Sequence, residues 1–308
     1  MTAARPGTGT GPGTATRWRS WHLHVDSLAP QALETAVLEV LAPAVAGFST
    51  GQAPRPWFFI RYWQRGPHLR LRLADPTEDE AAALATRMAT MLAALNASLA
   101  PADRITADSY RAAATPIAAI GTRGAPEPVE PLLPGGVHPG TYEPEVDRYG
   151  GAELMAASEE LFHASSAMVL RACRARPSFG HHIADGMEAM AATLSAWPGD
   201  RLVLLRALTD GWTPWLGPAT QPVIDRYARL AAANSQALRQ LADGAPSRWS
   251  PWTRRLAVAT NAWIDRHGVP RAARILGSHL HMTQNRLGVG GVHEGLVSAA
   301  LLRLLAAT

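Results

Sequence analysis

The chain has 308 residues, and its 29 Lys+Arg positions are all arginine, set against 25 Asp+Glu for a formal net charge of +4. Without lysine there is no Schiff-base amine, so pyridoxal-phosphate and lysine-aldolase chemistry are excluded, together with the lysines of P-loop and protein-kinase sites. The single Cys173 excludes an internal disulfide, a cysteine-cluster zinc site and a protein-held iron–sulfur cluster.

Residues 1–17 carry no apolar core and read as a disordered tail, neither signal peptide nor anchor. Trp18 to Val25 alternates, with Trp21, Leu23 and Val25 on one face and His22 and His24 on the other, which predicts a half-buried strand. Pro30 to Ala46 has helical spacing. Trp57 to Trp63 and His68 to Leu73 are strands joined by a hairpin turn at Gln64–Pro67. Pro76 to Leu99 is an amphipathic helix with an acidic first turn, and Arg104 to Arg111 is read as a fourth strand. The order βαββαβ over residues 18–111 predicts a ferredoxin-like sheet layer.

Residues 112–141 are proline-rich, lose periodicity and read as a long loop or insertion. From 142 to 308 the chain is mostly helical, with segments near 151–175, 180–196, 201–209, 221–242, 250–267, 270–284 and 292–306. The fold class is therefore α+β, a sheet layer followed by a helical half packed with it as one functional unit. No apolar stretch of membrane-span length is read, so no membrane is expected and a cytoplasmic location is. The arginines are scattered rather than clustered, which argues against direct nucleic-acid contact.

Three segments place polar groups where a purely structural chain has no need of them. In FFIRYWQRGPHLRLRL, His68, Arg70 and Arg72 share the face opposite Leu69, Leu71 and Leu73. Two guanidiniums two residues apart on a strand lie about 6.5–7 Å apart, a spacing that grips two oxyanions. A solvated face with arginines paired to nearby carboxylates is the plain alternative. In YEPEVDRYGG, Arg148 precedes a diglycine and a helix start, a candidate anion site, while Glu145 three residues earlier offers a local ion pair. In GSHLHMTQNRLG, His281 and Asn285 are i and i+4, suited to a base and its orienting partner. No spacing matches a known metal-ligand motif, so no metal and no cofactor are expected; His22, His24, His163, His181 and His182 read as scattered.

Together, WHLHV, FFIRYWQRGPHLRLRL, YEPEVDRYGG and HMTQNRLG, in this order, resemble the C-terminal elimination domain of class I lantibiotic dehydratases and their stand-alone thiopeptide-type relatives. The resemblance implies catalytic roles for Arg70, Arg72, Arg148 and His281. Glutamate would be eliminated from glutamylated Ser or Thr of a precursor peptide, with the guanidiniums stabilising the leaving carboxylate and His281 removing the α-proton. A sister activity is pyridine formation by formal [4+2] aza-cycloaddition of two dehydroalanines with release of the leader peptide, for which Tyr62, Tyr149, Ser278 and His281 suit proton transfer. We assign His68, Tyr149, Asn285, Ser278 and Tyr62 to substrate binding. The implied partners are a leader-bearing ribosomal precursor peptide and a separate tRNA-dependent glutamylating dehydratase subunit. A non-catalytic role, binding the precursor by strand addition, is the third reading. The sequence departs from the family at Ser165–Ser166, where an Asp-Ser pair is usual, and in the 112–141 insertion. The three arginines favour elimination.

Overall fold

The computed structural model describes residues 16–49, 55–121, 125–175, 178–212 and 221–307. All but the last two residues of the expected tail lie outside them.

Strands β1 (Trp18–His24), β2 (Trp57–Tyr62), β3 (His68–Ala74) and β4 (Gly136–Gly140) form one antiparallel sheet in the order β2-β3-β1-β4, the ferredoxin-like order. The alternation read from sequence holds: Leu23, Leu69 and Leu71 are fully buried on one face. Against that face pack α1 (Pro30–Ala36), which runs through a π-helical turn at Val37–Leu41 into α2 (Ala42–Ser49), and α3 (Glu78–Ser98). Thr77 opens α3 with a reciprocal capping box to Glu80, which satisfies two backbone donors.

The fourth strand is not Arg104–Arg111. Thr106 accepts from the Ser109 N–H at 3.1 Å while the Ser109 hydroxyl accepts from the Thr106 N–H at 2.9 Å, a cap that starts α4 (Ala107–Ile120) instead. Tyr110, Ala114 and Ala118 then recur at i+4 on its buried side. The 112–141 segment is accordingly not structureless: it begins inside α4 and ends in β4. Gly136 and Gly140 border that short strand, and a Cβ at Gly140 would lie 2.5 Å from the His22 Nε2. Any larger residue there would push the His22 ring aside.

Among the described residues, eight helices follow: α5 (Ala152–Ala175), α6 (Phe179–Leu194), α7 (Arg201–Trp212), α8 (Gln221–Ala233), α9 (Ser235–Ala242), α10 (Ser250–His267), α11 (Val269–Leu287) and α12 (Val292–Ala306). The expected helix over 221–242 breaks at Asn234. One hydrophobic cluster runs through both halves, from Leu23 and Leu71 through Met88 and Val169 to Leu276 and Leu301. By length and composition the 19-residue helical stretch Pro30–Phe48 does reach what a membrane span needs, contrary to the sequence reading. Val37, Val40, Leu41 and Ala44 on it are fully buried in the core.

The sheet meets the helices at the open edge of β2. The Trp57 N–H donates to the His163 Nδ1 (3.2 Å) and the Phe59 N–H to the Ser166 hydroxyl (3.2 Å), both on α5. The Arg286 Nε donates to the Phe59 carbonyl (2.8 Å), and Asn285 on α11 answers Arg61 in both directions, accepting from its N–H and donating to its carbonyl at 2.9 Å each. These side chains stand in for the neighbouring strand that the edge lacks. Asn285→Ala should therefore lower unfolding free energy in urea by about 1–3 kcal/mol, because two backbone groups lose their partners. Ser278→Ala, whose hydroxyl only returns to the Arg274 carbonyl, should change it by less than ~0.5 kcal/mol. Equal effects would refute the edge-capping role.

Candidate functional site

The register places the polar face of the sheet in three rows. Phe58, Arg72, Ser20 and Gly140 lie across the first, Ile60, Arg70, His22 and His138 across the second, and Tyr62, His68, His24 and Gly136 across the third. This face is covered rather than solvated, with His24, His68 and Arg72 all buried.

Arg72 enters an aromatic box. Its guanidinium lies 5.4 Å from the ring centres of both Phe58 and Tyr142, and Trp18, Phe58, Tyr142, Phe162 and Tyr149 continue the ring contacts around it. Its Nε has no hydrogen-bond partner, and no carboxylate among the described residues forms an ion pair with it. Burial, reinforced by the neighbouring Arg70, pulls its pKa down to about 9. Arg286 is equally buried and, among the described residues, bonded to the Phe59 carbonyl and the Ser165 hydroxyl (3.3 Å), and burial lowers it to about 10.

On the far side of the box, the His279 ring stacks on Trp263 (5.0 Å, 11° between planes) and meets Tyr149 edge-on at 5.0 Å. Burial, with Arg286 and Arg148 as further causes, lowers its pKa to about 3. Arg148 itself pairs with Glu145 at 3.1 Å, the local ion pair that the sequence offered as its plainer role. Gly150 and Gly151 both need positive φ, and the Gly150 carbonyl lies 2.6 Å from the His267 Nε2 rather than at an anion site.

Arg70 belongs to a different neighbourhood. Its guanidinium stacks 3.5 Å from the centre of the Tyr62 ring, and its Nε donates to the His68 Nε2 at 3.1 Å. His22, His24, His68 and His138 surround it, with ring contacts down to 4.1 Å between His24 and His68. They line a cavity of about 450 Å³ with Gln64, Arg65, Arg70, Glu130, Leu133 and Pro139. Burial first, then the nearby cations and imidazoles, lowers His22 to about 3, His24 to about 4 and His68 to about 2. The arginine pair is thus divided between two environments, one guanidinium beside a cavity and the other sealed under aromatic rings.

His281 stands apart from both. Its Nδ1 lies 2.7 Å from the Glu294 carboxylate and its ring 5.6 Å from Trp212. Its side chain is 28% exposed whereas Glu294 is 3% exposed. The partner predicted for it, Asn285, is committed to the edge of β2. Gly288 ends α11 in the left-handed region (φ 81°), Gly291 also has positive φ, and the chain turns by 117° so that the first turn of α12 carries Glu294 back to His281. Glu294 escaped the sequence reading, although the glycines at 288, 290 and 291 signal the turn that brings it back. Of the other predicted binders, Tyr149 is buried in the box, Tyr62 sits beneath Arg70, and Ser278 bonds back to its own helix.

The family model for the lantibiotic biosynthesis dehydratase C-terminal region matches residues 18–305. The chain belongs to this family. No curated protein matches the sequence significantly. Among solved structures, the chain is similar to the pyridine synthase TbtD from thiomuracin biosynthesis, at 18% identity and a TM-score of 0.71 over 94% of this chain and 98% of that one. It is similar to TsrL at 16% identity and a TM-score of 0.62, over 94% and 95%. It also matches the tRNA-dependent lantibiotic dehydratase MibB from Microbispora sp. 107891, at 21% identity and a TM-score of 0.56, covering 96% of this chain but 28% of that one. These likenesses establish the fold of this family member.

The buried imidazoles carry a pH signature. The folded His279 pKa of about 3 lies below its ordinary 6.5, so the unfolded chain binds the proton first as pH falls. The contribution is complete above that ordinary value and is lost progressively toward the folded one. Denaturation midpoints should drop between about pH 7 and pH 4, and less steeply for His279→Phe, which keeps the ring contacts without the proton. Parallel profiles for the two proteins would reject the assignment.

Proposed function

We propose that this protein is a pyridine-forming cyclase that acts on a leader-bearing ribosomal precursor peptide, closing the ring between two dehydroalanines and releasing the leader. The observation that carries this reading is the His281–Glu294 pair, half-open at 28% exposure and in contact with none of Arg70, Arg72 and Arg148. Elimination requires a base and charge-stabilising guanidiniums around one ester, whereas Arg72 is sealed, Arg148 is paired and His281 is elsewhere.

Ring closure asks for proton transfer more than charge capture. An amide N–H proton must move to its carbonyl oxygen, so that the resulting C=N and a dehydroalanine C=C form the azadiene. Two new bonds to the second dehydroalanine close the six-membered ring. Water then leaves from the hydroxyl-bearing carbon, and the leader departs as a carboxamide, taking its proton. With Nδ1 anchored on Glu294, His281 presents Nε2 to accept and return such protons. Likeness in fold along nearly the whole of a pyridine synthase supports the reading. The dehydroalanines would come from a separate tRNA-dependent glutamylating dehydratase in the same cytoplasm.

Elimination remains the second reading, favoured by the fact that neither Arg70 nor Arg72 is ion-paired to a described carboxylate. The same fact argues against a purely precursor-binding role, which would leave the arginine face neutralised. Incubation with a glutamylated precursor and, separately, with a peptide bearing two dehydroalanines distinguishes them by mass spectrometry. We expect ring closure with leader release from the second and no glutamate loss from the first. His281→Gln should slow ring closure by about 10²–10³-fold and Glu294→Gln by roughly 10-fold. Glutamate loss abolished by Arg72→Met would overturn the proposal.

A further inference from the structure

The histidines of the sheet face are built in a way that neither reaction explains. His22 and His24 project from β1 and His68 from β3, with His24 directly opposite His68 in the register. One ring nitrogen from each lies within 4.8 Å of the other two. Among the described residues, His22 Nε2 makes no hydrogen bond, and the ring nitrogens of His24 make no well-formed one, with only the Arg65 backbone acting on that imidazole. An imidazole only 1% exposed and so poorly satisfied is costly unless something occupies the space between the rings.

His68 specifies what that something is. Its Nδ1 donates to the Gly66 carbonyl at 2.8 Å, which leaves Nε2 as a lone pair facing the cluster, filled here by the Arg70 Nε–H at 3.1 Å. A backbone carbonyl on the distal nitrogen is the support that a metal-bound imidazole characteristically has, because it fixes the tautomer and the ring plane. A lone pair repels an anion and welcomes a cation. The cavity beside the rings is lined by Glu130, whose carboxylate pairs with Arg65 at 3.5 Å and brings negative charge near the rings.

We propose that His22, His24 and His68 form a three-histidine site for a divalent transition ion of the zinc type, with its fourth position open to the cavity. Three neutral imidazoles without a thiolate suit zinc, and three protein ligands plus an exchangeable position is the open form of its coordination. Zinc–nitrogen distances of about 2.0–2.1 Å require the nitrogens to close to roughly 3.4 Å, so the His24–His68 stack, 16° between planes, opens by rotation of the rings when the ion binds. Arg70 releases His68 and keeps its stack on Tyr62. Its positive charge opposes the ion, so Arg70 sets the affinity. The site stands whichever reaction the protein performs.

The test uses the full-length chain without a histidine tag, stripped with chelator, dialysed against Zn²⁺ or Co²⁺ and analysed for metal content. We expect one equivalent per chain, and for Co²⁺ the intense visible absorption of a tetrahedral nitrogen site. His22→Gln combined with His24→Asn should weaken binding by about 100-fold or more, while His181→Ala, on a remote exposed helix end, leaves it unchanged. Arg70→Met should tighten binding about 10-fold, since it removes both a competitor for Nε2 and a like charge. Circular dichroism and metal-free melting report whether the double variant folds. The wild-type Co²⁺ spectrum is decisive without any variant: a weak six-coordinate spectrum, or no stoichiometric uptake, overturns the site. So would uptake unchanged in the folded double variant, or a gain in melting temperature from inorganic phosphate but not from Zn²⁺.

Discussion

A β-strand at a sheet edge leaves a row of backbone donors and acceptors that must find partners, and in this protein β2 finds them in helix side chains. His163, Ser166, Asn285 and Arg286 supply the hydrogen bonds that another strand would have made. Because those bonds are directional, they fix the rotation of α5 and α11 about their axes. The rotation of α11 in turn decides that His279 faces the aromatic box, that Asn285 faces the sheet, and that His281 faces Glu294 and Trp212. The sheet, the box and the half-open histidine are thus set by one junction.

The polar side of the sheet is an uncommon environment for charge. Arg72 and Arg286 are buried under aromatic rings with no ion-paired carboxylate among the described residues, and burial lowers both guanidiniums. Ring faces carry partial negative charge and offset part of the lost hydration, but a buried cation without an acidic partner remains destabilising. Such groups persist where the fold or the chemistry needs a donor. Arg286 has a structural use at the Phe59 carbonyl. The Arg72 Nε has no partner among the described residues, and together with the unbonded His22 Nε2 it marks this face as a place where the protein retains polar groups for something other than packing.

Much of the architecture was legible in the residues. Alternation in WRSWHLHV and HLRLRL gave two strands and their buried faces, and helical spacing gave most of the elements after residue 151. The fourth strand was not legible: GVHPG holds two glycines and a proline, has no alternation and becomes a strand only because β1 offers an open edge. The Thr106–Ser109 cap was visible in principle, but no apolar run followed to announce a helix. At the site, motif resemblance selected Arg70, Arg72, Arg148 and His281, and spacing supplied Asn285 as a partner for His281. Helical periodicity reports that two residues share a face; it does not report which neighbour will claim one of them.

By itself, then, the sequence determined the chemistry that is absent, the α+β order and the family, because composition, periodicity and motif order are local or cumulative properties of a chain. Only the tertiary structure decided which charges lie under aromatic rings, that Glu294 rather than Asn285 holds His281, and that His22, His24 and His68 converge. Each of these depends on strand register, on the turn at Gly288–Gly291 or on the rotation of a helix against a sheet edge. Those are set by contacts between residues tens to hundreds of positions apart, and such pairings leave no periodic trace in the chain itself.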